Sequence, residues 1–560
     1  MARVPDQYLP LQQLYRWERE RRDQICMTQP LGGGATRDFT WGQALDEARR
    51  MAKHLKSFGW PAGTHVAILS KNCAWWLMAD YAIWLAGFVS VPVYPTLTAA
   101  SVRQILEHSD AKACFLGKLD DWQRMKEGVP SELHCIRLPL SPEMDCTRWD
   151  DIVAKTPPLA GNPVRAADDL ATIIYTSGTT GTPKGAMHPF SSFAQVCLIV
   201  EHTFHTTPNE RLLSYLPLAH VADRLASEVV SIQCGCRVYF AESLDTFQKD
   251  LQRARPTIFM SVPRLWTKFQ QGVFAKMPKE KLDRLFRIPI IGRVVKRRIL
   301  KQLGLEHVRY AMSGAAPLPA DVLAWFRSLG LEMLEVYGMT ENFAVSHCAR
   351  AGQVRPGYVG SPWEGVEMRI AANGELLIKS PANMIGYYKD PDKTRESFTE
   401  DGFLRTGDVG ETDELGRLKI TGRVKEQFKT SKGKYVAPAP IENLLGAHPK
   451  IEASLVTGAA FPQPFAIVML NAAESLRVKS EPRERVELES SLHAHLDSVN
   501  AQLDPHEQLS FVAVVAEQWT EANGFVTPTL KVKRMLVENR YQPYFETWAN
   551  EGHPVVWQEA

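Results

Sequence analysis

Apolar residues in this chain come mostly in short runs set between stretches of helical period. His65–Leu69 (HVAIL), Ala113–Leu116 (ACFL), Ala171–Tyr175 (ATIIY), Arg237–Phe240 (RVYF), Thr257–Met260 (TIFM) and Val308–Met312 (VRYAM) each read as a buried strand. Between them, Trp41–Ser57, Ser191–His202 and Pro319–Ser328 read as helices. That alternation predicts an α/β body with largely parallel sheets. The run from Cys73 to Pro95 is apolar enough to resemble a membrane span, yet Asp80 lies inside it and Pro92 and Pro95 punctuate its end. A buried helix ending near Gly87, then a short core strand, accounts for it better.

From about Gly365 the texture turns to strands and turns, with Val366–Ile370 and Glu375–Ile378 flanking the hairpin signal Asn373-Gly374. After Gly422-Arg423 it changes again. A short helix at Ile441–Leu445, strands at Ala453–Thr457 and Phe465–Met469 and a long polar helix from Glu484 to Gln502 read as a separate α+β unit. The expected organisation is a large α/β domain with a small β-rich part over residues 1–424, and a small α+β domain over 425–560.

Composition narrows the classes. A chain of 560 residues exceeds a single core, and 45% hydrophobic with 23% charged residues is ordinary for a soluble protein. A net charge of +2 argues against a nucleic-acid partner. Nine cysteines without regular spacing fit a reducing compartment, hence a cytoplasmic protein, and Cys234-Gly-Cys236 is too close a pair for a zinc site. The charged N-terminus lacks an apolar h-region, so no signal peptide is expected. Arg293–Lys301, preceded by Ile288-Pro-Ile-Ile-Gly292, reads as a solvated helix face or, less commonly, as a basic amphipathic helix touching anionic lipid at the inner face of a membrane. The letters leave oligomeric state open, a homodimer included.

Several stretches carry chemistry. Tyr175–Gly185, YTSGTTGTPKG, follows a strand-like run and supplies glycines, hydroxyls and Lys184, the materials of a loop that holds phosphate. It departs from the pattern G-x-x-x-x-G-K-[ST], because Lys184 follows Pro183 and precedes Gly185. Tyr337-Gly-Met-Thr-Glu341 sets a carboxylate beside a hydroxyl at a strand's end, a place to hold Mg²⁺ against phosphate. Met312-Ser-Gly-Ala-Ala-Pro-Leu318 offers small residues where a flat ring can lie on backbone, and Thr406-Gly-Asp408 a carboxylate suited to two vicinal hydroxyls. Each alone also reads as an ordinary turn or close packing.

In this order and spacing, with Gly422-Arg-Val-Lys-Glu426, these motifs resemble the adenylate-forming superfamily from about Phe39 to Tyr544. The resemblance implies a large adenylate-forming domain with a small mobile C-terminal domain, and ATP, Mg²⁺ and CoA as the small molecules used. It places Thr176, Ser177, Gly178, Thr179, Thr180, Gly181 and Lys184 around the β- and γ-phosphates. Gly314, Ala315 and Ala316 line the adenine site, and Tyr337, followed by Gly338, stacks on the ring. Thr340 holds the α-phosphate, Glu341 binds Mg²⁺, and Asp408 grips the ribose with Arg423 beside it. His220 matches a position near the acyl carboxylate, with a capped core histidine as the plain alternative. Lys425 falls on the hinge about which the C-terminal domain swings between half-reactions.

Phe525-Val-Thr-Pro-Thr-Leu-Lys531-Val-Lys-Arg534 departs from the superfamily's usual lysine motif, with Leu530 in place of glycine. It resembles the long-chain and very-long-chain fatty acyl-CoA synthetases. That branch implies Lys531 as the adenylation lysine, with Lys533 its near neighbour, and a CoA loop at 431–438 where Lys432 and Gly433 let pantetheine pass. Asn72-Cys-Ala-Trp-Trp76 and Val91–Thr96 agree with it, and His188 receives no role. The implied activity converts a fatty acid to its acyl-adenylate and then to acyl-CoA. A fatty-acyl-AMP ligase serving a carrier protein shares every adenylation motif, and a non-catalytic acyl- or nucleotide-binding protein is the reading from another class.

Overall fold

The computed structural model describes residues 4–177, 183–527 and 531–558. By compactness the chain divides into two units, Met1–Met368 with Ile378–Leu404, and Arg369–Leu377 with Arg405–Ala560. The expected boundary at 424/425 lies inside the second unit. The hairpin Leu404–Thr412/Leu418–Arg423 packs against the segment C-terminal to it: helix Pro438–Leu445 lies on strand Leu418–Arg423, and Gly422 approaches the Ala437 side chain.

The larger unit is the expected α/β body, built on three sheets. The eight-stranded one runs, by position, Gly386–Tyr387, Pro183–Pro189, Leu170–Ser177, Val89–Val93, His65–Leu69, Ala113–Leu116, His134–Arg137 and Thr147–Arg148. Its centre is parallel, and antiparallel pairing begins only where Leu170–Ser177 meets Pro183–Pro189. A five-stranded sheet orders Ile258–Ser261, Tyr310–Ser313 and Met333–Tyr337 in parallel before two short antiparallel strands. A four-stranded sheet joins Arg211–Ser214 and Arg237–Phe240 to the hairpin Ile25–Gly32/Ala35–Thr40.

Helix Ala74–Ala86 is buried at every position and stops at Gly87, after which Val89–Val93 forms the expected core strand. Among the described residues no helix is long and apolar enough to cross a membrane. Asp80 is tolerated inside it because Arg224, itself fully buried, reaches it. The same guanidinium bonds Glu228 Oε2 at 2.8 Å and Thr172 Oγ1 at 2.7 Å, and lies over Trp76 and Phe193. Burial pushes the Glu228 carboxyl well up, and the Arg224 charge opposes that shift.

In the smaller unit, the sheet of Ile451–Thr457, Phe465–Leu470, Val512–Val515 and Val555–Trp557 shows why its two central strands, Phe465–Leu470 and Val512–Val515, are apolar throughout. Alternate residues point to opposite faces, and both faces are covered. Val456, Ala466, Val468 and Val512 meet the Leu488–Leu492–Leu496–Val499 stripe of helix Pro482–Asn500. Leu455, Ile467, Met469 and Ala513 meet Val537, Tyr541, Phe545 and Trp548. Each buried leucine of that stripe contributes about 1.5–3 kcal/mol relative to exposure.

Candidate active site

In the larger unit the phosphate-type motif sits at the antiparallel end of the eight-stranded sheet. Leu170–Ser177 pairs with Pro183–Pro189, Thr176 opposite Lys184, while Gly178, Thr179, Thr180 and Gly181 lie outside the described residues. The two-residue strand Gly386–Tyr387 then pairs onto the outer side of Lys184's strand, Tyr387 opposite Ala186. This sets the Tyr387 ring 5.9 Å from Lys184 Nζ. The Tyr387 hydroxyl donates to Glu341 Oε1 at 2.7 Å. Burial and the Glu341 charge raise the phenol's pKa, so it remains a donor. The Lys184 strand is thus linked to YGMTE through an aromatic side chain.

A second link runs beside the first. His188 is fully buried, and burial pushes its imidazole down to about 3. The ring is therefore neutral near pH 7, and because a carbonyl can only accept, Nε2 carries the proton and donates to the Thr340 carbonyl at 2.8 Å. The turn it holds is tight. A Cβ on Gly338 would stand 2.3 Å from the Ala344 backbone, so only glycine fits there. Phe343 and Ala344 both adopt positive φ, 52° and 59°, and Met339 N–H donates to Asn342 Oδ1 at 2.9 Å. Thr340 and Glu341 are buried on this turn.

Gly314 follows strand Tyr310–Ser313 and donates its N–H to Ser261, while Ala315 and Ala316 are exposed, a backbone shelf of the kind a flat ring needs. Tyr337 ends the neighbouring strand, its ring centroid 6.2 Å from that of His347. His220 caps the following helical turn, its Nδ1 accepting the Ala222 N–H at 3.1 Å, which puts the neutral ring's proton on Nε2. The loop before it is tied by Asn72, whose Oδ1 accepts from Leu218 N–H and whose Nδ2 donates to the Leu216 carbonyl and to Asp223. Burial pushes the Asp223 carboxyl up to about 7.

In the smaller unit Asp408 and Arg423 face one another across the hairpin, and Arg423 Nε stands 3.0 Å from Asp408 Oδ1. Thr406 Oγ1 accepts the Asp408 N–H at 3.1 Å and donates to the Leu376 carbonyl, so TGD lies within strand Leu404–Thr412, kinked at Gly407 with φ of 71°, rather than in a free turn. Lys425 is exposed on the turn after this hairpin. Lys432 and Gly433 occupy a tight exposed loop closed by Thr430 and Lys434. Lys531 is exposed, and its carbonyl accepts the Thr527 N–H at 2.9 Å beside the bridge between Val526 and Val532. Arg534, after that bridge, pairs with Glu442 and donates to the Val456 carbonyl.

The family model described as "AMP-binding enzyme" matches residues 14–388, and the one described as "AMP-binding enzyme C-terminal domain" matches residues 425–549. The chain belongs to the AMP-binding enzyme family. Its relatives place this AMP-binding enzyme on the fatty acyl-CoA synthetase branch. It is 31% identical over 582 residues to the "Long-chain-fatty-acid--CoA ligase FadD15" of Mycobacterium bovis, covering 96% of both chains. It is also 31% identical to the "Long chain acyl-CoA synthetase 7, peroxisomal" of Arabidopsis thaliana, over 89% of this chain and 79% of that one. Among solved structures, the anthranilate CoA ligase AuaEII with anthranoyl-AMP superposes with TM-score 0.78 at 20% identity, over 97% of this chain and 99% of that one. The A-PCP didomain of the Segniliparus rugosus carboxylic acid reductase with AMP gives 0.80 at 22%, over 97% and 82%. Both likenesses are of fold.

Four residues of this AMP-binding enzyme's site escaped the sequence reading as positioning groups: Tyr387, His188, Asn72 and Asp223. Each bonds a partner more than forty positions away.

Proposed function

We propose that this enzyme joins a long-chain fatty acid to CoA at the expense of ATP, by way of an acyl-adenylate. The observation that carries the reading is the group Lys184–Tyr387–Glu341 at one sheet edge, in a chain whose relatives over nearly full length are named long-chain-fatty-acid–CoA ligases. A cation, a polarised carboxylate and a backbone turn converge there, which suits phosphate oxygens.

In the first step a carboxylate oxygen of the fatty acid attacks the α-phosphorus, the bond to the β-phosphate oxygen breaks, and pyrophosphate leaves. Lys184 and Lys531 offset the negative charge that builds there, and the Thr340 hydroxyl orients the α-phosphate. His220, with its proton on Nε2, donates toward the acyl carboxylate. Asp408 accepts from the ribose hydroxyls, held in place by Arg423. Glu341 is the carboxylate that would hold Mg²⁺: Oε1 is committed to Tyr387, and one carboxylate with substrate oxygens and water is a normal Mg²⁺ ligand set. Mg²⁺ there supplies charge neutralisation on the phosphates. In the second step the CoA thiolate attacks the acyl carbon, and the bond to the phosphate oxygen breaks with loss of AMP. The loop at Lys432-Gly433 admits the pantetheine arm, and Lys425 is the pivot that exchanges the two half-reactions. No protein nucleophile is required, so none of the nine cysteines takes part in bond-making.

ATP, CoA and palmitate supplied together should yield palmitoyl-CoA, AMP and pyrophosphate. Accumulation of adenylate with CoA ignored would instead support the fatty-acyl-AMP ligase. Lys531→Ala should abolish adenylate formation while sparing thioester formation from pre-made acyl-AMP; equal loss of both would remove its assignment.

A further inference from the structure

Helix Pro289–Leu303 presents a face that the proposed chemistry does not use. Gly292, Ile299 and Leu303 lie on its inner side and are buried. On the outside, Ile290 is 80% exposed and Val294 62%, with Ile288 and Ile291 at 46% and 45%. At about 100° per residue, Ile290, Val294, Arg297 and Lys301 fall on one stripe. That outer stripe is apolar over the first turns and cationic over the last. From Arg287 to Leu305 the chain carries Arg287, Arg293, Lys296, Arg297, Arg298 and Lys301 and no acidic residue, in a protein whose net charge is only +2. The apolar end is held in place. A Cβ on Gly292 would stand 2.7 Å from the Phe286 carbonyl, and Lys296 Nζ lies 5.0 Å over the Phe286 ring, so this helix sits close against helix Lys279–Phe286.

We propose that this helix docks the protein on an anionic lipid surface. Ile288, Ile290, Ile291 and Val294 enter the acyl boundary while the basic side chains meet lipid phosphates, the division of labour of an interfacial helix. A merely solvated helix would intersperse acids among its bases, and a neutral apolar protein partner would have no use for six cations in a stretch without an acid; the packed helix Lys279–Phe286 adds Glu280 and an Asp283 already paired with Lys279 at 2.6 Å. The docking stands apart from the proposed reaction, since it needs neither nucleotide nor acyl substrate.

The test is co-sedimentation of the full chain with vesicles of phosphatidylcholine alone and of an equal mixture with phosphatidylglycerol. The expected result is binding to the mixed vesicles only, weakened by added salt. Ile290→Ser with Val294→Ser, and separately Arg297→Gln with Arg298→Gln, should each weaken it at least about tenfold. The positions are exposed, and a circular-dichroism spectrum like that of the wild type accompanies that result. Absence of binding, equal binding to both vesicles, or unchanged binding by both double variants would overturn the proposal. So would a concentration-dependent dimer, abolished by the serine pair, in a protein that ignores vesicles.

Discussion

Replacing Tyr387 by phenylalanine removes one oxygen and leaves the ring beneath Lys184. That oxygen donates to Glu341 Oε1 at 2.7 Å, and Glu341 is only 9% exposed, so little water can take its place. A hydrogen bond to a charged group contributes about 1.5–3 kcal/mol. At about 1.4 kcal/mol per factor of ten, the loss is about 10- to 100-fold in whatever step needs Glu341 oriented. The assay is steady-state pyrophosphate release at saturating fatty acid, with Mg²⁺ and ATP each varied. Tyr387→Phe should lower kcat/KM for ATP by that factor and raise the Mg²⁺ concentration needed for half-maximal rate. Tyr387→Leu, which also withdraws the ring from Lys184, should be slower still. If Tyr387→Phe stays within about twofold of the wild type at every Mg²⁺ concentration, the Tyr387–Glu341 bond does not support the site, and the link between the Lys184 strand and YGMTE is incidental.

Arg224→Met should destabilise the larger unit by about 3–5 kcal/mol, because it strands Asp80 and Glu228 in an apolar interior; urea unfolding followed by tryptophan fluorescence measures it, and adding Asp80→Leu and Glu228→Met should restore most of the loss. His188 binds a proton less readily folded than unfolded, since its pKa falls from 6.5 to about 3. Its share of stability is therefore complete above pH 6.5 and is lost as pH falls toward 3, about 1.4 kcal/mol for each unit over which only the unfolded state is protonated. His188→Gln should flatten the stability–pH curve between pH 6.5 and 4, and an unchanged slope would remove this assignment. Asp408→Asn should raise KM for ATP about tenfold through a weaker grip on the ribose, with little change in stability because its partner Arg423 is largely exposed.

Strands that lie in the parallel centre of a sheet announce themselves as short, mostly apolar runs, which is why His65–Leu69, Ala113–Leu116 and Arg237–Phe240 were legible to the residue. Helix Trp41–Ser57 was equally plain, with Thr40 and Gln43 forming a capping box at its start. Strand Gly386–Tyr387 was not, because two residues carry no period; it exists through pairing with Pro183–Pro189, some two hundred positions earlier. The same reason hides Tyr387 and His188, whose parts depend on partners that no local pattern names. Asp80 was visible as an anomaly in an apolar run, but its explanation, Arg224, lies on a π-helical segment, Arg224–Val229, whose register the usual helical spacing does not foretell. MSGAAPL and YGMTE were legible because each begins as a strand ends, and TGD because Gly407 takes a positive φ of 71° within its strand, places where composition is strongly constrained.

The pairing of Asp80 with Arg224 has a consequence for how the chain is made. Helix Ala74–Ala86 leaves the ribosome with its carboxylate and three tryptophans, and the cation it needs emerges 144 residues later. At about 5–20 residues per second the wait is roughly 7–30 s. During that interval the segment is an apolar stretch with an uncompensated charge, able neither to settle in a finished core nor to pass as a membrane helix. Synthesis speed across residues 87–224, and chaperone occupancy of the nascent chain over the same span, therefore bear on the yield of native protein separately from the final stability of the fold.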